Sequence, residues 1–396
     1  MFENKSIIIG VSGGIAAYKT AYLVSALSKT EADVNVIMTK NACEFISPIV
    51  FETLTGNKCY VDTFDRNFKF DVEHISLAKK ADIFMIAPAT ANVIAKIANG
   101  IADDMLTTTF LASKCKKIVS PAMNTAMFEN QITQDNIAKL KKYEIGVVEP
   151  QNGLLACGDT GAGKMPEPDF LFDVIEREIA REKDMLGKKV LVTAGATMES
   201  LDPVRFLTNH SSGKMGFAIA KEAMLRGAEV TVVKANTTAE IPNFIKIVEV
   251  SSAKDMFDAV TVLSDQQDII VKAAAVADYT PESYVDSKIK KKDGDISIPL
   301  KRTMDILKYL GENKKEGQFL CGFSMETDNM LENSKAKLSK KNADMIVANN
   351  LRDAGSGFKT DTNAVTLITR DGHRSLELKS KAEVAKEIFD EILGHI

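Results

Sequence analysis

The sequence predicts an α/β protein made of two doubly wound, Rossmann-like domains, each a mainly parallel sheet flanked by helices. Short β-branched runs alternate with segments of helical periodicity along the chain. The 396 residues exceed the size at which a single hydrophobic core keeps growing. Both halves also open as strand, small-residue turn, helix and strand, at IIIGVSGGIAAYK and at VLVTAGATMES. Two domains of ordinary size follow from these observations.

Apolar runs in the first half predict buried parallel strands, because each run is short, rich in β-branched residues and separated from the next by a helix-period segment. They lie at residues 7–11, 34–38, 83–87 and 118–120. Around residues 181–189 the sequence becomes charged (REKDMLGKK), and a fresh strand is predicted at 190–193. We therefore predict domains at residues 1–182 and 187–396.

The second half repeats this alternation. Further strands are predicted at residues 230–233, 245–250, 269–275, 345–348 and 365–369. Helices lie between several of them, including an amphipathic one at residues 217–226. The second half is therefore predicted to be an α/β domain of its own.

Composition limits the function classes. A formal net charge of −4 argues against a protein that coats nucleic acid or an anionic membrane, so any anion site must be local. The chain opens with charged residues that lead straight into a strand and shows no long apolar segment, so we expect a cytoplasmic protein without signal peptide or membrane span. Five cysteines without paired spacing fit neither a disulfide framework nor a zinc site.

A glycine-rich turn at residues 10–14 follows the first predicted strand and opens a helix whose free amides can cradle a phosphate. The same pattern is equally typical of a tight turn without ligand. A dinucleotide site would also require an acidic residue near the end of the second strand, where Thr39 and Lys40 stand instead. A mononucleotide such as FMN fits this turn better.

Five motifs together resemble a known family: SGGIAAYK, APATAN, ANGIADD, PAMNTAM and ACGDTGAGKMPEP. They are similar to those of the homo-oligomeric flavin-containing cysteine decarboxylases, in particular those acting on phosphopantothenoylcysteine. The resemblance spans nearly all of residues 1–180. Phe128 departs from it, because the family often has Trp there and this chain has none. We expect altered packing at Phe128 and unchanged chemistry.

The resemblance implies FMN as cofactor and a set of site residues. The implied FMN contacts are Ser12, Gly13, Gly14, Thr39, Ala87, Pro88, Ala89 and Thr90. Catalysis is implied for His74, for Asn124, which positions the substrate carboxylate, and for Cys157, a proton donor. From the residues alone, an ordinary half-buried histidine is the favoured interpretation of His74, which the resemblance reverses, and Asn124 could be a helix cap.

The implied chemistry explains why a flavin and a thiol are needed together. Direct loss of the carboxylate would leave an unstabilised carbanion, whereas oxidation of the substrate thiol to a thioaldehyde creates an electron sink. The product of decarboxylation must then regain a hydride and a proton, and a thiol of pKa about 8.5 is a competent donor near neutral pH. Cys157 lies in a glycine-rich stretch suited to a closing flap.

A second set of motifs marks the C-terminal half. NHSSGKMG precedes the predicted helix, whose N-terminus again offers amides to a phosphate, although Ser211 and Ser212 could simply cap it. With AAAVAD at residues 273–278 and KIKK at 288–291, it resembles the phosphopantothenoylcysteine synthetases over about residues 187–396.

That resemblance implies that Asn209 and Arg205 handle an acyl-nucleotide intermediate. The implied nucleotide contacts are Ala273, Ala275, Asp278, Lys288, Met304, Asp305, Ile306, Leu307, Phe323, Lys337 and Lys341. Lys337 and Lys341 are four residues apart in a helix-like segment, so both ammonium groups can point toward one phosphate chain. Mg²⁺ is implied as a screen for the phosphates, without assigned ligands.

Together the resemblances imply a bifunctional enzyme of coenzyme A biosynthesis. It would ligate 4'-phosphopantothenate to L-cysteine with CTP and then decarboxylate phosphopantothenoylcysteine, as a homo-oligomer with trimeric decarboxylase and dimeric ligase contacts. A regulatory flavoprotein of the same fold without turnover is the alternative. A nicotinamide dehydrogenase ranks last, because neither Thr39-Lys40 nor Lys234-Ala235 supplies the ribose-binding acid.

Overall fold

The structure, a computed structural model, describes residues 2–64, 73–154, 160–290, 297–326, 329–350 and 360–396. Its internal contacts divide the chain into two units, Met1–Arg181 and Glu182–Ile396. Each unit contains a mainly parallel sheet flanked by helices, so the predicted fold class is confirmed. No helix among the described residues is long and apolar enough to cross a membrane.

The first unit is built on a six-stranded parallel sheet in the order β3-β2-β1-β4-β5-β6. Its strands are β1 Ser6–Val11, β2 Asp33–Met38, β3 Cys59–Tyr60, β4 Ile83–Ala89, β5 Lys116–Pro121 and β6 Gly146–Val147. A separate antiparallel pair is formed by β7 Gln151–Leu154 and β8 Thr160–Lys164. All four strands predicted for this half are present.

Nine helices of the first unit surround this sheet in the described part of the chain. They are α1 Ala17–Leu27, α2 Lys40–Cys43, α3 Pro48–Thr55, α4 Glu73–Lys80, α5 Ala91–Ala98, α6 Met105–Ala112, α7 Thr125–Glu129, α8 Gln131–Lys142 and α9 Pro168–Ile179. Helix α6 packs so closely on β1 that a Cβ at Gly10 would lie 2.5 Å from Leu106 Cδ1. The sheet order reverses between β1 and β4, and a crevice at their carboxyl ends is where such folds bind ligands.

The second unit contains an eight-stranded sheet in the order β13-β12-β9-β14-β17-β18-β20-β21. The strands are β9 Lys189–Ala194, β12 Glu229–Lys234, β13 Lys246–Glu249, β14 Ile269–Lys272, β17 Phe319–Glu326, β18 Met345–Asn350, β20 Val365–Thr369 and β21 His373–Ser375. Pairing is parallel from β13 to β18 and antiparallel from β18 to β21.

Small strand pairs and helices complete the second unit. The pairs are β10 Met198–Ser200 with β11 Phe206–Thr208, β15 Tyr279–Pro281 with β16 Leu300–Arg302, and β19 Thr362–Asn363 with β22 Lys379–Ser380. The helices are α10 Lys214–Leu225, α11 Ala253–Ser264, α12 Ile306–Glu312, α13 Met330–Lys340 and α14 Lys381–Leu393.

Three sequence-based expectations for this unit need correction. The predicted strand at 269–275 ends at Lys272, because the chain then turns and Ala274 N–H donates to Thr193 Oγ1 (3.0 Å). Strand β17, in the middle of the sheet, was not predicted. The N-cap residue of α10 is Gly213, at φ 81°, and not a serine, while Ser211 Oγ accepts from Gly213 N–H (3.4 Å).

Candidate active sites

The crevice of the first unit contains a cavity of ≈ 1130 Å³. Of the residues predicted for FMN binding and catalysis, it is lined by Gly13, Gly14, Thr39, Thr90 and Asn124. They come from the ends of β1, β2, β4 and β5, so the parallel topology gathers residues that are far apart in sequence.

The other predicted FMN residues form the wall behind this cavity. Ser12 is fully buried, and its Oγ donates to Pro88 O (2.8 Å) and accepts from Thr90 N–H (2.9 Å). Ala87, Pro88 and Ala89 are buried in β4, with Thr20 Oγ1 donating to Ala87 O (2.7 Å). The Ser12 side chain therefore fixes the position of the Thr90 segment, and none of these four predicted residues lines the cavity.

The turn after β1 suits a bound phosphate group. Gly13, Gly14 and Ile15 line the cavity, and in the described part of the chain their backbone N–H groups have no hydrogen-bond acceptor. A Cβ at Gly13 would lie 2.5 Å from Asn41 Cβ, so glycine is required for the turn to lie against α2. Cavity size and free amides both fit a phosphorylated cofactor of the size of FMN.

Asn124 lies at the opposite side of the cavity, where it precedes α7. Its Oδ1 accepts from Ala126 N–H (2.9 Å), so Asn124 does cap a helix, as its alternative role required, and it lines the cavity as well. The hairpin strand β8 packs on this segment, with Met123 N–H donating to Gly163 O (3.1 Å). The segment that bears Asn124 is thus held by β8.

The remaining two catalytic residues predicted for this unit are not brought to the cavity by the described structure. His74 lies half-buried near the start of α4 and does not line it. Cys157 lies outside the described residues. Asn124 is therefore the one predicted catalytic residue that the described chain places in the cavity wall.

Two lysines near the cavity received no role from the sequence. Lys96 lines the cavity and pairs with Asp103 (2.7 Å) and Asp104 (3.2 Å), and its hydrogen bond to Asp103 raises the pKa of Lys96. Lys19 is buried in α1 and its Nζ donates to Glu167 Oε1 (2.8 Å). Lys19 is the last residue of the SGGIAAYK motif, whereas Lys96 lies between APATAN and ANGIADD, so the motifs gave a signal for Lys19 alone.

Gly163 provides a test of how β8 holds Asn124. Its φ is 121°, and a Cβ there would overlap the carbonyl oxygen of Met123. We expect Gly163→Ala to displace the Asn124 segment and to lower the decarboxylation implied by the sequence resemblance about 100-fold or more, since misplacement by 1 Å has that effect. Steady-state turnover of the implied substrate, phosphopantothenoylcysteine, checks this.

Gly153→Ala, in the paired strand β7, is the matched control. Among the described residues, a Cβ at Gly153 would meet Lys164 Cδ alone, at 3.5 Å, an ordinary contact, so activity should stay within about twofold of the parent. Equal activity of the two variants would show that β8 does not position Asn124.

The second candidate site lies at the carboxyl ends of β9 and β14, where the order of the second sheet reverses. Asn209 Nδ2 donates to Ala275 O (3.2 Å), and Ala275 N–H donates to Gly195 O (2.9 Å). Asp278 is exposed just beyond this loop, and its carbonyl accepts from Thr303 N–H (3.0 Å). The structure thus brings Asn209 to the AAAVAD segment, with Ala273 half-buried beside Ala275.

Arg205 and the segment beside Lys288 are held together by a buried carboxylate that sequence reasoning passed over. Asp202 is 2 % exposed, and its oxygens accept from the N–H groups of Val204 (2.8 Å), Arg205 (2.8 Å) and Ile289 (3.1 Å). Burial alone raises the pKa of Asp202, but these donors outweigh it and the net shift is downward.

Arg205 completes the link, because its Nη2 donates to Ile289 O (3.2 Å). The side chain of Lys288 is exposed next to this contact. The backbone on both sides of the predicted acyl-nucleotide site is therefore anchored at Asp202.

The residues predicted for the phosphate chain come from the middle of β17, the start of α12 and the last turns of α13 with its C-cap, Lys341. Lys337 Nζ donates to Phe323 O (2.9 Å), and Lys341 forms an ion pair with Asp305, which caps α12. Among the others, Met304 is exposed, whereas Ile306 and Leu307 are core residues at 1 % and 3 % exposure. Ile306 and Leu307 can therefore reach a nucleotide only through their backbone.

Metal ligands are not apparent. In the ranges that the structure covers, no three His, Cys, Asp or Glu side chains form a group that could hold a metal ion.

Comparison with known proteins covers both units. The Flavoprotein family profile matches residues 1–180, and the profile of the DNA/pantothenate metabolism flavoprotein C-terminal domain matches residues 185–395. The coenzyme A biosynthesis bifunctional protein CoaBC of Bacillus subtilis (strain 168) is 46% identical over 396 residues, covering 99% of this chain and 97% of its own.

Solved structures resemble the two halves separately. The C-terminal domain of a coenzyme A biosynthesis bifunctional protein CoaBC is 44% identical with a TM-score of 0.45, over 52% of this chain and 95% of that one. A PPC decarboxylase mutant complexed with pantothenoylaminoethenethiol is 28% identical with a TM-score of 0.39, over 43% of this chain and 96% of that one.

Proposed function

The chain belongs to the family of bifunctional coenzyme A biosynthesis proteins, and we propose that its two units catalyse successive steps on one pantothenate-derived substrate. The observation that carries this conclusion is the 46% identity over essentially the whole of both chains. The protein is a decarboxylase and a ligase, and its cofactor is FMN. A regulatory flavoprotein without turnover is not favoured, because the relationship extends through the ligase half as well.

The division of labour is the first finer part of the proposal. Residues 1–182 carry the decarboxylase and residues 187–396 the ligase. The ligase joins L-cysteine to 4'-phosphopantothenate through a CMP-activated acyl intermediate formed from CTP with Mg²⁺. The decarboxylase then converts phosphopantothenoylcysteine to 4'-phosphopantetheine. The assembly is a homo-oligomer with trimeric and dimeric contacts, active in the cytoplasm.

In the decarboxylase, FMN supplies reversible oxidation of the substrate thiol, which makes loss of the carboxylate favourable. The free N–H groups of Gly13, Gly14 and Ile15 would hold its phosphate. Asn124 presents its amide to the substrate carboxylate while its Oδ1 stays bonded to Ala126 N–H, which fixes the side chain. Cys157 donates the final proton, and His74 of α4 stays a proposed catalytic residue although it does not line this cavity.

In the ligase, Asn209 and Arg205 border the acyl-nucleotide intermediate. Their positions are fixed by bonds to Ala275 O and Ile289 O. Lys288, Lys337 and Lys341 provide positive charge for the phosphates, and Asp278 contacts the nucleotide. Activation of the carboxylate as a nucleotidyl ester is required because a free carboxylate is a poor acceptor for an amine.

Nucleotide selectivity is the part that most needs experiment. Purified protein is incubated with 4'-phosphopantothenate, cysteine and Mg²⁺ with CTP, ATP, GTP or UTP in turn, and nucleoside monophosphate and pyrophosphate are measured. We expect CTP to give CMP and pyrophosphate, each matching phosphopantothenoylcysteine formed. Release of a nucleoside diphosphate with inorganic phosphate would instead indicate an acyl phosphate and contradict the CMP-activated route.

A further inference from the structure

Lys272 is a charged residue in an otherwise apolar strand, at the carboxyl end of β14. It pairs in register with Thr193 of β9 on one side and with Gly322 of β17 on the other. The order of the sheet reverses between β9 and β14, so Lys272 lies at the point where doubly wound sheets bind ligands.

The ammonium group of Lys272 has no counter-ion of its own. It is half-buried and makes no hydrogen bond or ion pair with any residue that the structure describes. Its charged neighbours are Lys337 and Lys341 on α13, Asp305 at the start of α12 and Asp278 in the loop after β14. Asp305 is already paired with Lys341.

This arrangement is electrostatically unfavourable without a ligand. Burial lowers the pKa of Lys272, and the positive charges of Lys337 and Lys341 lower it further. The negative charges of Asp305 and Asp278 act in the opposite direction, and the resulting pKa is about 8. A half-buried cation next to two others, without a partner, costs free energy in the folded protein. Groups perturbed in this way are concentrated at functional sites.

We propose that Lys272 is a phosphate-binding residue of the ligase, which contacts the phosphate chain of the bound nucleotide together with Lys337 and Lys341. An anionic group at the switch point would give Lys272 the counter-ion that no described residue supplies, and it would lie close to Lys337, which donates to Phe323 O beside Gly322, the register partner of Lys272. The inference rests on the proposed ligase function and adds to it a residue that lies in none of the three motifs quoted for this half of the chain.

Lys272→Met tests the proposal, because Met keeps the length of the side chain and removes its charge. Binding of CTP with Mg²⁺ is measured by calorimetry at pH 7, without cysteine. We expect Kd to rise about tenfold or more, as for loss of a charge-assisted hydrogen bond. Lys308→Met is the matched control, since Lys308 is an exposed lysine on α12 paired with Glu312 (3.7 Å), and its Kd should change less than twofold.

The dependence on pH separates binding from a structural role. Because the pKa of Lys272 is about 8, the parent protein carries the charge below pH 8 and loses it above, so CTP affinity should fall as pH rises through this value. Lys272→Arg keeps its charge throughout, and its affinity should stay level between pH 7 and 9. A structural role would give parent and Lys272→Arg the same profile.

Further outcomes identify the source of the phosphate or overturn the inference. If Kd rises for 4'-phosphopantothenate and not for CTP, Lys272 binds phosphate of the other substrate and the nucleotide assignment is wrong. If both affinities are unchanged in Lys272→Met while the parent binds CTP, the inference fails and the ligase function stands. If the parent protein binds neither CTP nor 4'-phosphopantothenate, the inference and the proposed ligase function both fail. An unchanged thermal unfolding transition of residues 182–396 shows in each case that the unit carrying the substitution is folded.

Discussion

Replacement of Asn124 by aspartate is expected to lower decarboxylase turnover by about 10³-fold while the protein stays folded. An Asp at this position retains the oxygen that accepts from Ala126 N–H, so the start of α7 is preserved. It also adds a negative charge to the cavity wall, at the position where the proposed mechanism places the substrate carboxylate. At 4 Å and an effective dielectric constant of 20, that repulsion is about 4 kcal/mol, or about three orders of magnitude in rate.

The measurement is CO₂ release from phosphopantothenoylcysteine, together with the absorbance of bound flavin. Asn130→Asp is a close control, because Asn130 caps α8 with the same geometry, accepting from Ile132 N–H (3.0 Å), and does not line the cavity. Its activity should match that of the parent. Turnover by Asn124→Asp within a few-fold of the parent would show that Asn124 does not meet the carboxylate.

Removal of the Arg226 charge is expected to destabilise the second unit by about 3–5 kcal/mol, the usual effect of breaking a buried ion pair on one side. Arg226 is 4 % exposed at the end of α10. Its guanidinium binds Glu222 (3.0 Å), Asp184 (3.2 Å) and Asp390 of α14. Arg226→Met would remove the guanidinium that binds the buried Glu222 and that links the end of α10 to Asp390 of α14.

Thermal unfolding and the two activities provide the measurement. The transition of residues 182–396 should move down by about 10 °C, and ligation should be lost on warming before decarboxylation. Lys386→Met is the matched control, because Lys386 pairs with the same Asp390 (2.9 Å) from an exposed position and is worth at most about 1 kcal/mol. Equal shifts for both variants would contradict a structural role for the Arg226 cluster.

Much of the fold could be predicted because local pattern determines it. Apolar β-branched runs such as the one in β1 are buried on both faces, and their sequence shows this directly. Strand β17 was not predicted because Gly322 interrupts its apolar run. Glycine is required there by a close contact with a residue that is not near it in the sequence. A Cβ at Gly322 would lie 2.7 Å from Leu307 Cδ2 on α12.

In the candidate sites too, residues in continuous sequence motifs could be predicted, whereas residues whose role depends on contacts far along the chain could not. Resemblance supplied Asn124 and Asn209, whose motifs are continuous in sequence. Lys272 was included in a predicted strand, although a single lysine in an apolar run at a carboxyl edge was a signal that could have been used. The role of Asp202 was not visible, because one of its donors, Ile289, lies 87 residues further along the chain.

Mass spectrometry of products tests the central claim most directly. Purified protein is supplied with 4'-phosphopantothenate, cysteine, CTP and Mg²⁺, without added flavin. Two active units with bound FMN predict that 4'-phosphopantetheine and CMP accumulate in equal amounts. Accumulation of phosphopantothenoylcysteine, with no further conversion when FMN is added, would contradict decarboxylation by the first unit.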